Sequence, residues 1–232
     1  NYDAVARIHM KARHLELAAV AYEQAPGREL EAARIYETLR VLQPVSECSF
    51  RAGILCGSFS SDGNAAALGA SNGSILYADA SLKTVWTYHL GGDTHATSVS
   101  ISDKGSFVVV GIQGFSHSEG HLQLLTREKG EVWQKSFPDV VRDVVFLPGE
   151  AEFALALGDR ISVFSVQGEM VWERKLDFRS WAVDVSTDGG RIVVGTIGGG
   201  LFLFSRSGEP IGEYHFDERV HDARFSPDGG WI

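Results

Sequence analysis

The 232 residues carry 21 Lys and Arg against 30 Asp and Glu, a formal net charge of −9, with 44% hydrophobic and 22% charged residues. That balance describes a globular chain with ample material for a core, and it argues against nucleic acid, whose phosphates require a basic stripe that is not visible. Cys48 and Cys56 are too few and too oddly placed for a disulfide framework or a CxxC metal site, so they read as reduced thiols. No apolar run approaches the roughly 20 residues that a membrane-spanning helix needs.

In chain order, the first pattern is helical. Ala4, Ile8, Ala12, Leu15, Ala19 and Tyr22 recur at steps of three and four, and Pro26-Gly27 ends the run. Ala32, Ile35, Leu39 and Leu42 then mark one face of a second helix that closes at Pro44. The expectation is a helical hairpin forming a domain over residues 1–45. Leu15, Ala18, Ala19 and Tyr22, followed by "LEAARIYETLRVLQP" (30–44), resemble one tetratricopeptide repeat whose turn is one residue longer than the consensus. The resemblance implies a peptide-binding helical surface.

From residue 46 a different period takes over. "SFSSDGNAAALG" (58–69), "SISDKGSFVVVG" (100–111), "VFLPGEAEFALAL" (145–157), "VSTDGGRIVVG" (185–195) and "RFSPDGGWI" (224–232) are loose copies of one phrase. In them Asp62, Asp103, Asp188 and Asp228 fall at steps of 41, 85 and 40 residues, the long step holding a degenerate copy at Pro148-Gly149. A second series places Trp86, Trp133, Trp172 and Ile211 at steps of 47, 39 and 39, the longest containing an insertion, "QGFSHSEGH" (113–121). Two markers with one period of about 40 define a repeat.

Each unit holds four short β-like runs separated by turn residues such as Asn72-Gly73, Gly130-Glu131, Gly168-Glu169 and Gly208-Glu209. Runs such as "FVVV" (107–110) and "LFLF" (201–204) are apolar on consecutive residues, which requires cover on both faces. The predicted fold is mainly β, a partial β-propeller over 46–232 behind the helical hairpin. Its blades are expected at 54–90, 96–137, 141–176 and 181–216, with the start of another at 220–232. A ring usually has more blades than this, so the chain is expected to be a piece of a longer protein. "ARFSPDG" and "DVSTDG" resemble WD-type repeats, although the Trp-Asp dipeptide of that family is absent. "GASNGSILYADASLKTVWTYHL" (69–90) is more similar to pyrroloquinoline-quinone-type repeats, in which a glycine precedes a tryptophan by four residues, as Gly168 precedes Trp172.

The sequence shows no phosphate-binding loop, zinc-protease motif or nucleophile elbow. "GTIGGGLF" (195–202) reads as a hairpin turn, and the sequon "NGS" (72–74) reads as a type I′ turn at Asn72-Gly73. His117, Glu119 and His121 in the insertion, with His95 nearby, have the residue types of a metal site, but nothing fixes their geometry and they read as a solvated loop. Trp86, Trp133 and Trp172 are expected in outer strands as packing between blades. By contrast, Leu55, Thr97, Arg142, Trp181 and His221 occupy one repeat position at the start of the first strand, with five different side chains. Variation on a regular scaffold points to a binding rim, and Thr97, Arg142, Trp181 and His221, with His95, Phe115 and His117, are its candidate residues. The insertion is expected at the same end.

These features favour a non-enzymatic scaffold for a protein or peptide partner, with no cofactor, metal or catalytic residue, in the cytoplasm. The quinone-type resemblance implies an alternative, a quinone-dependent dehydrogenase with calcium and adjacent cysteines. Cys48 and Cys56 are not adjacent, and no ligand set of Asp, Glu and Asn is evident. A sensor or assembly module fused to an enzyme is a further alternative.

Overall fold

The computed structural model describes residues 52–92, 94–114, 119–128 and 130–232. The first sheet contains β1 (Ile54–Phe59), β2 (Ala65–Ala70), β3 (Ser74–Asp79) and β4 (Thr84–His89). The second contains β5 (His95–Ile101), β6 (Phe107–Gln113), β7 (Gly120–Thr126) and β8 (Glu131–Phe137). The third contains β9 (Val141–Phe146), β10 (Glu152–Leu157), β11 (Arg160–Ser165) and β12 (Met170–Lys175). The fourth contains β13 (Ser180–Val185), β14 (Arg191–Thr196), β15 (Gly200–Ser205) and β16 (Pro210–His215). All four are antiparallel meanders whose strands lie in chain order. The expected class, a mainly β propeller preceded by an α-helical hairpin, is therefore corrected to mainly β without the hairpin. Among the described residues the apolar runs pair at strand register and no helix occurs. The hairpin expected over 1–45 lies outside the described residues.

Consecutive apolar residues serve both faces of each inner sheet because successive side chains point in opposite directions. Val108 and Val110 pack toward the first sheet with Ile75 and Tyr77. Val109 between them packs toward the third with Phe153 and Leu155. Ala154 and Ala156 meet Ile192 and Val194 of the fourth sheet, and Val193 turns to Val220 and Ala223. Stacking the sheets in chain order thus produces a separate apolar layer at each junction.

The first strand of each sheet is an edge, so its outward N–H groups have no ladder partner. Side chains from the preceding first strand supply one. Ser58 accepts from the Ile101 N–H at 3.4 Å, Ser100 from Phe146 at 3.0 Å and Asp184 from Phe225 at 2.7 Å. Ser98 accepts from Val144 at 3.3 Å and Asp143 from Val183 at 3.1 Å. This is why polar residues interrupt otherwise apolar strands.

The fourth strands carry the second marker. Trp86 Nε1 donates to the Arg127 carbonyl at 2.6 Å, Trp133 to Val166 at 2.8 Å and Trp172 to Arg206 at 2.8 Å. Each acceptor directly follows the third strand of the next sheet. Trp86 is buried at 8% exposure, whereas Trp133 and Trp172 are half-buried. A bulge precedes each tryptophan, leaving Val85, Val132 and Val171 unpaired and exposed. In the fourth sheet the same bulge falls at Ile211, so Gly212, not Ile211, occupies the tryptophan position. β16 therefore carries a glycine where β4, β8 and β12 carry the ring.

The first marker is also corrected by one residue. In the β1–β2 turn, Asp62 accepts from the Ser60 hydroxyl at 2.7 Å and from the Asn64 N–H at 2.9 Å. Asp188 does the same with Ser186 and Gly190, and Asp228 with Ser226 and Gly230. The Ser60 hydroxyl bond leads the effects that lower the Asp62 pKa to about 2. In the β5–β6 turn Lys104 stands in the aspartate position, and Asp103 lies one residue earlier. The missing carboxylate comes from the third sheet, where Glu150 accepts from the Ser102 hydroxyl at 2.9 Å and the Lys104 N–H at 2.8 Å. Asp103 bridges instead, accepting from Ser61 at 2.5 Å and from the Gly149 N–H at 2.9 Å.

The turn at Asn72-Gly73 is not type I′. Gly73 alone has positive φ (75°), and its N–H donates to Ala70 at 3.1 Å, giving a type I turn closed by a glycine bulge. Asn72 is left with negative φ and accepts from the Ser74 N–H at 3.2 Å. Residues 217–232 follow β16 and run beside β13, with the Val220 N–H donating to the Thr196 carbonyl at the end of β14 at 3.0 Å and the Phe225 N–H to Asp184 of β13 at 2.7 Å.

Candidate functional site

The variable position at the start of each first strand is a β-bulge. The register skips Leu55 between Ile54 and Cys56, Thr97 between Ala96 and Ser98, and Trp181 between Ser180 and Ala182. Arg142 is skipped in the same way, because Val141 pairs with Leu157 and Asp143 with Ala156. A bulged residue is released from the pleat and its side chain is re-aimed, here toward the rim of the stacked sheets. In a meander this end also carries the β2–β3-type turns. The Ser180 N–H donates to Gly158 at 2.8 Å and the Ile197 N–H to Arg179 at 3.0 Å, which ties those turns to the rim.

Three of the candidate residues form a continuous row. The Arg142 guanidinium carbon lies 4.7 Å from the centroid of the Trp181 ring. The opposite contact of Trp181 is His221, edge-on at 6.0 Å and 90°. Arg142 and Trp181 are half-buried and His221 is exposed. Thr97 does not join them. Its hydroxyl donates to the Val141 carbonyl at 2.7 Å and fastens the second sheet to the third. His95 is half-buried at the start of β5, while Phe115 and His117 lie outside the described residues. His121 is engaged with the Ser136 hydroxyl at 2.9 Å. Among the described residues no three His, Cys, Asp or Glu side chains gather as metal ligands.

Beside the row lies a cavity of about 80 Å³, lined in part by Asp139, Arg142, Gly158, Arg179, Trp181 and Ile197. Ligand pockets for cofactors run to about 300–1,000 Å³, so this one suits a single side chain. Burial, and then the neighbouring Arg179 charge, push the Arg142 pKa down, although a guanidinium stays charged. Arg160, Arg174, Arg206 and Arg224 each pair with a carboxylate. Arg142 and Arg179 have no such partner among the described residues.

Sequence reasoning missed Arg179, which occupies the position held elsewhere by His95, Val140 and Arg219. It also missed the polar channel at the centre, a cavity of about 210 Å³ between the first strands lined by Ser58, Ser98, Ser100, Asp143, Asp184 and Arg224. Burial raises the Asp184 pKa. Arg224 reaches Asp143 at 3.4 Å and Asp222 at 3.2 Å, so the channel's charges are largely spent on one another. A larger, open groove of about 590 Å³ between β12 and the β15–β16 turn includes Trp172 and Arg206. Its polar groups are occupied as well, because Arg206 binds Glu152 at 2.9 Å.

No protein-family model matches the sequence, and no curated protein matches it. Solved structures do match in fold. The β-propeller domain of Myceliophteria thermophila Cps50 (Swd1) superposes with a TM-score of 0.65 at 17% identity, over 78% of this chain and 63% of that one. Kuenenia stuttgartiensis hydrazine synthase gives 0.60 at 16% identity, over 75% of this chain and 52% of that one. The chain spans less than two thirds of the length of either. The four sheets are blades of a β-propeller.

Proposed function

We propose that this propeller is a non-enzymatic scaffold in the cytoplasm that docks a protein or peptide partner on the rim bearing Arg142, Trp181 and His221. The observation behind this reading is the bulge-borne row itself. Regular ladder residues are fixed by their neighbours, but Arg142 and Trp181 are released from the register and contact each other, and His221 meets the Trp181 ring edge-on. An aromatic ring beside an arginine is the composition that dominates binding energy at protein interfaces. The WD-like spelling of the first strands fits such a role.

The test is a photo-crosslinking residue at position 221, compared with the same residue at 127 in the β7–β8 turn at the opposite end. Discrete adducts from 221 alone, lost when Trp181→Ala is added while the melting temperature holds, are expected. Adducts that ignore Trp181→Ala, or that form equally at 127, would remove the rim from consideration.

A further inference from the structure

We infer that the cavity between the third and fourth blades takes a glutamate or aspartate side chain from an acidic segment of the partner, held by Arg142 and Arg179. The inference rests on the docking-rim reading and names its ligand chemistry. In a chain of net charge −9, arginines have abundant carboxylates to pair with. Several elsewhere on the third and fourth blades take them, as Arg160 takes Glu173 at 2.9 Å and Arg206 takes Glu152 at 2.9 Å, while Arg191 is held by the Gly229 carbonyl. Arg142 and Arg179 line one cavity and pair with no carboxylate among the described residues.

The geometry is prepared for a planar anion. The Arg142 guanidinium lies over the Trp181 ring, which positions it, and its N–H groups make no hydrogen bond among the described residues. A guanidinium fork matches the two oxygens of a carboxylate, and a partly desolvated site strengthens the bond. Asp139 lines the same cavity. Two guanidinium charges against one carboxylate leave a single positive charge uncompensated, which suits a monoanionic carboxylate better than a dianionic phosphate. The volume of about 80 Å³ admits a carboxylate with its methylene stem. Trp181, Ile197 and the exposed Phe178 give the rim apolar surface for a neighbouring hydrophobic side chain. The occupant is therefore an acidic segment interspersed with apolar residues.

Fluorescence anisotropy on the full chain tests this with labelled peptides about a dozen residues long. One repeats Glu-Glu-Leu, one Gln-Gln-Leu, and one carries phosphoserine in a Gln-Leu background. The expected result is salt-sensitive binding of the Glu peptide, with each of Arg142→Gln and Arg179→Gln weakening it about tenfold. Arg127→Gln, an arginine at the opposite end, should leave it unchanged. Arg179 is exposed, so its variant separates charge from folding even if Arg142→Gln lowers the melting temperature. Stronger binding of the phosphopeptide overturns the carboxylate assignment. Equal binding of the Gln peptide, abolished by Trp181→Ala, overturns the acidic ligand while leaving the docking rim standing. Binding of no peptide, or equal loss in Arg127→Gln, overturns the inference, and the rim is then judged by the cross-linking alone.

Discussion

The two ends of the propeller use their side chains differently. At the end made by the β1–β2-type and β3–β4-type turns, recurring residues are committed to neighbours: Ser60 with Asp62, Ser186 with Asp188, and Trp172 with Arg206. At the other end the same repeat position holds Leu55, Thr97, Arg142 and Trp181. Of these only Thr97 is hydrogen-bonded through its side chain among the described residues. Repetition marks the parts that keep blades together, and variation marks the parts left over for a ligand.

The largest expected effect lies at the recurring end. Trp86→Ala empties a buried site and removes the bond to Arg127, and should cost about 3–5 kcal/mol in urea unfolding. Trp172→Ala should cost less, since that ring is half-buried. If Trp86→Ala were silent, the link between repetition and stability would break. Next comes Gly208→Ala. Gly208 has φ of +81°, and a Cβ there would sit 2.7 Å from the Trp172 ring. The strained backbone alone should cost about 1–3 kcal/mol, read as a lower melting temperature. At the variable end, Arg142→Ala and Trp181→Ala remove a partly exposed cation–π contact. Each should cost about 1 kcal/mol or less while abolishing partner binding. A large stability loss with binding intact would make this row structural.

The smallest effect is a pH dependence. The Asp62 pKa in the fold, about 2, lies below its ordinary value of 3.8. Its contribution is therefore complete above 3.8 and is lost as pH falls through about 2. Asp188 and Asp228 are lowered too, each first by its serine hydroxyl. Asp184 works in the opposite sense: burial raises its pKa, so the folded state holds its proton longer and that contribution is lost as pH rises through the folded value. Thermal melts across the acid range should show Asp62→Asn flattening the steep limb. An unchanged limb would mean the turn network contributes nothing.

The four sheets were legible because their glycine turns and tryptophans recur, but register was not. Trp172 and Ile211 look equivalent by spacing, yet the bulge falls before Trp172 and on Ile211, and only strand pairing reveals this. Asp103 looks like Asp62, but its carboxylate serves other blades. At the rim, Arg142, Trp181 and His221 could be found because one repeat position holds them. Arg179 escaped because it lies two residues before Trp181 and contributes only once the bulge folds both onto one cavity. The type I′ assignment failed because Asn72-Gly73 sits in a longer turn in which only the glycine crosses to positive φ.

Glu150 has one more consequence. It holds a positive φ of 62°, rare for a side chain of its kind, and its carboxylate completes a turn in the preceding blade. Asp103 returns the exchange by holding the Gly149 N–H. The second and third blades have thus traded parts, and neither can open its turn without disturbing the other's. Under hydrogen exchange their amides should open as one cooperative block. Loss of repeat spelling at Pro148-Gly149 is then a weld between two adjacent units.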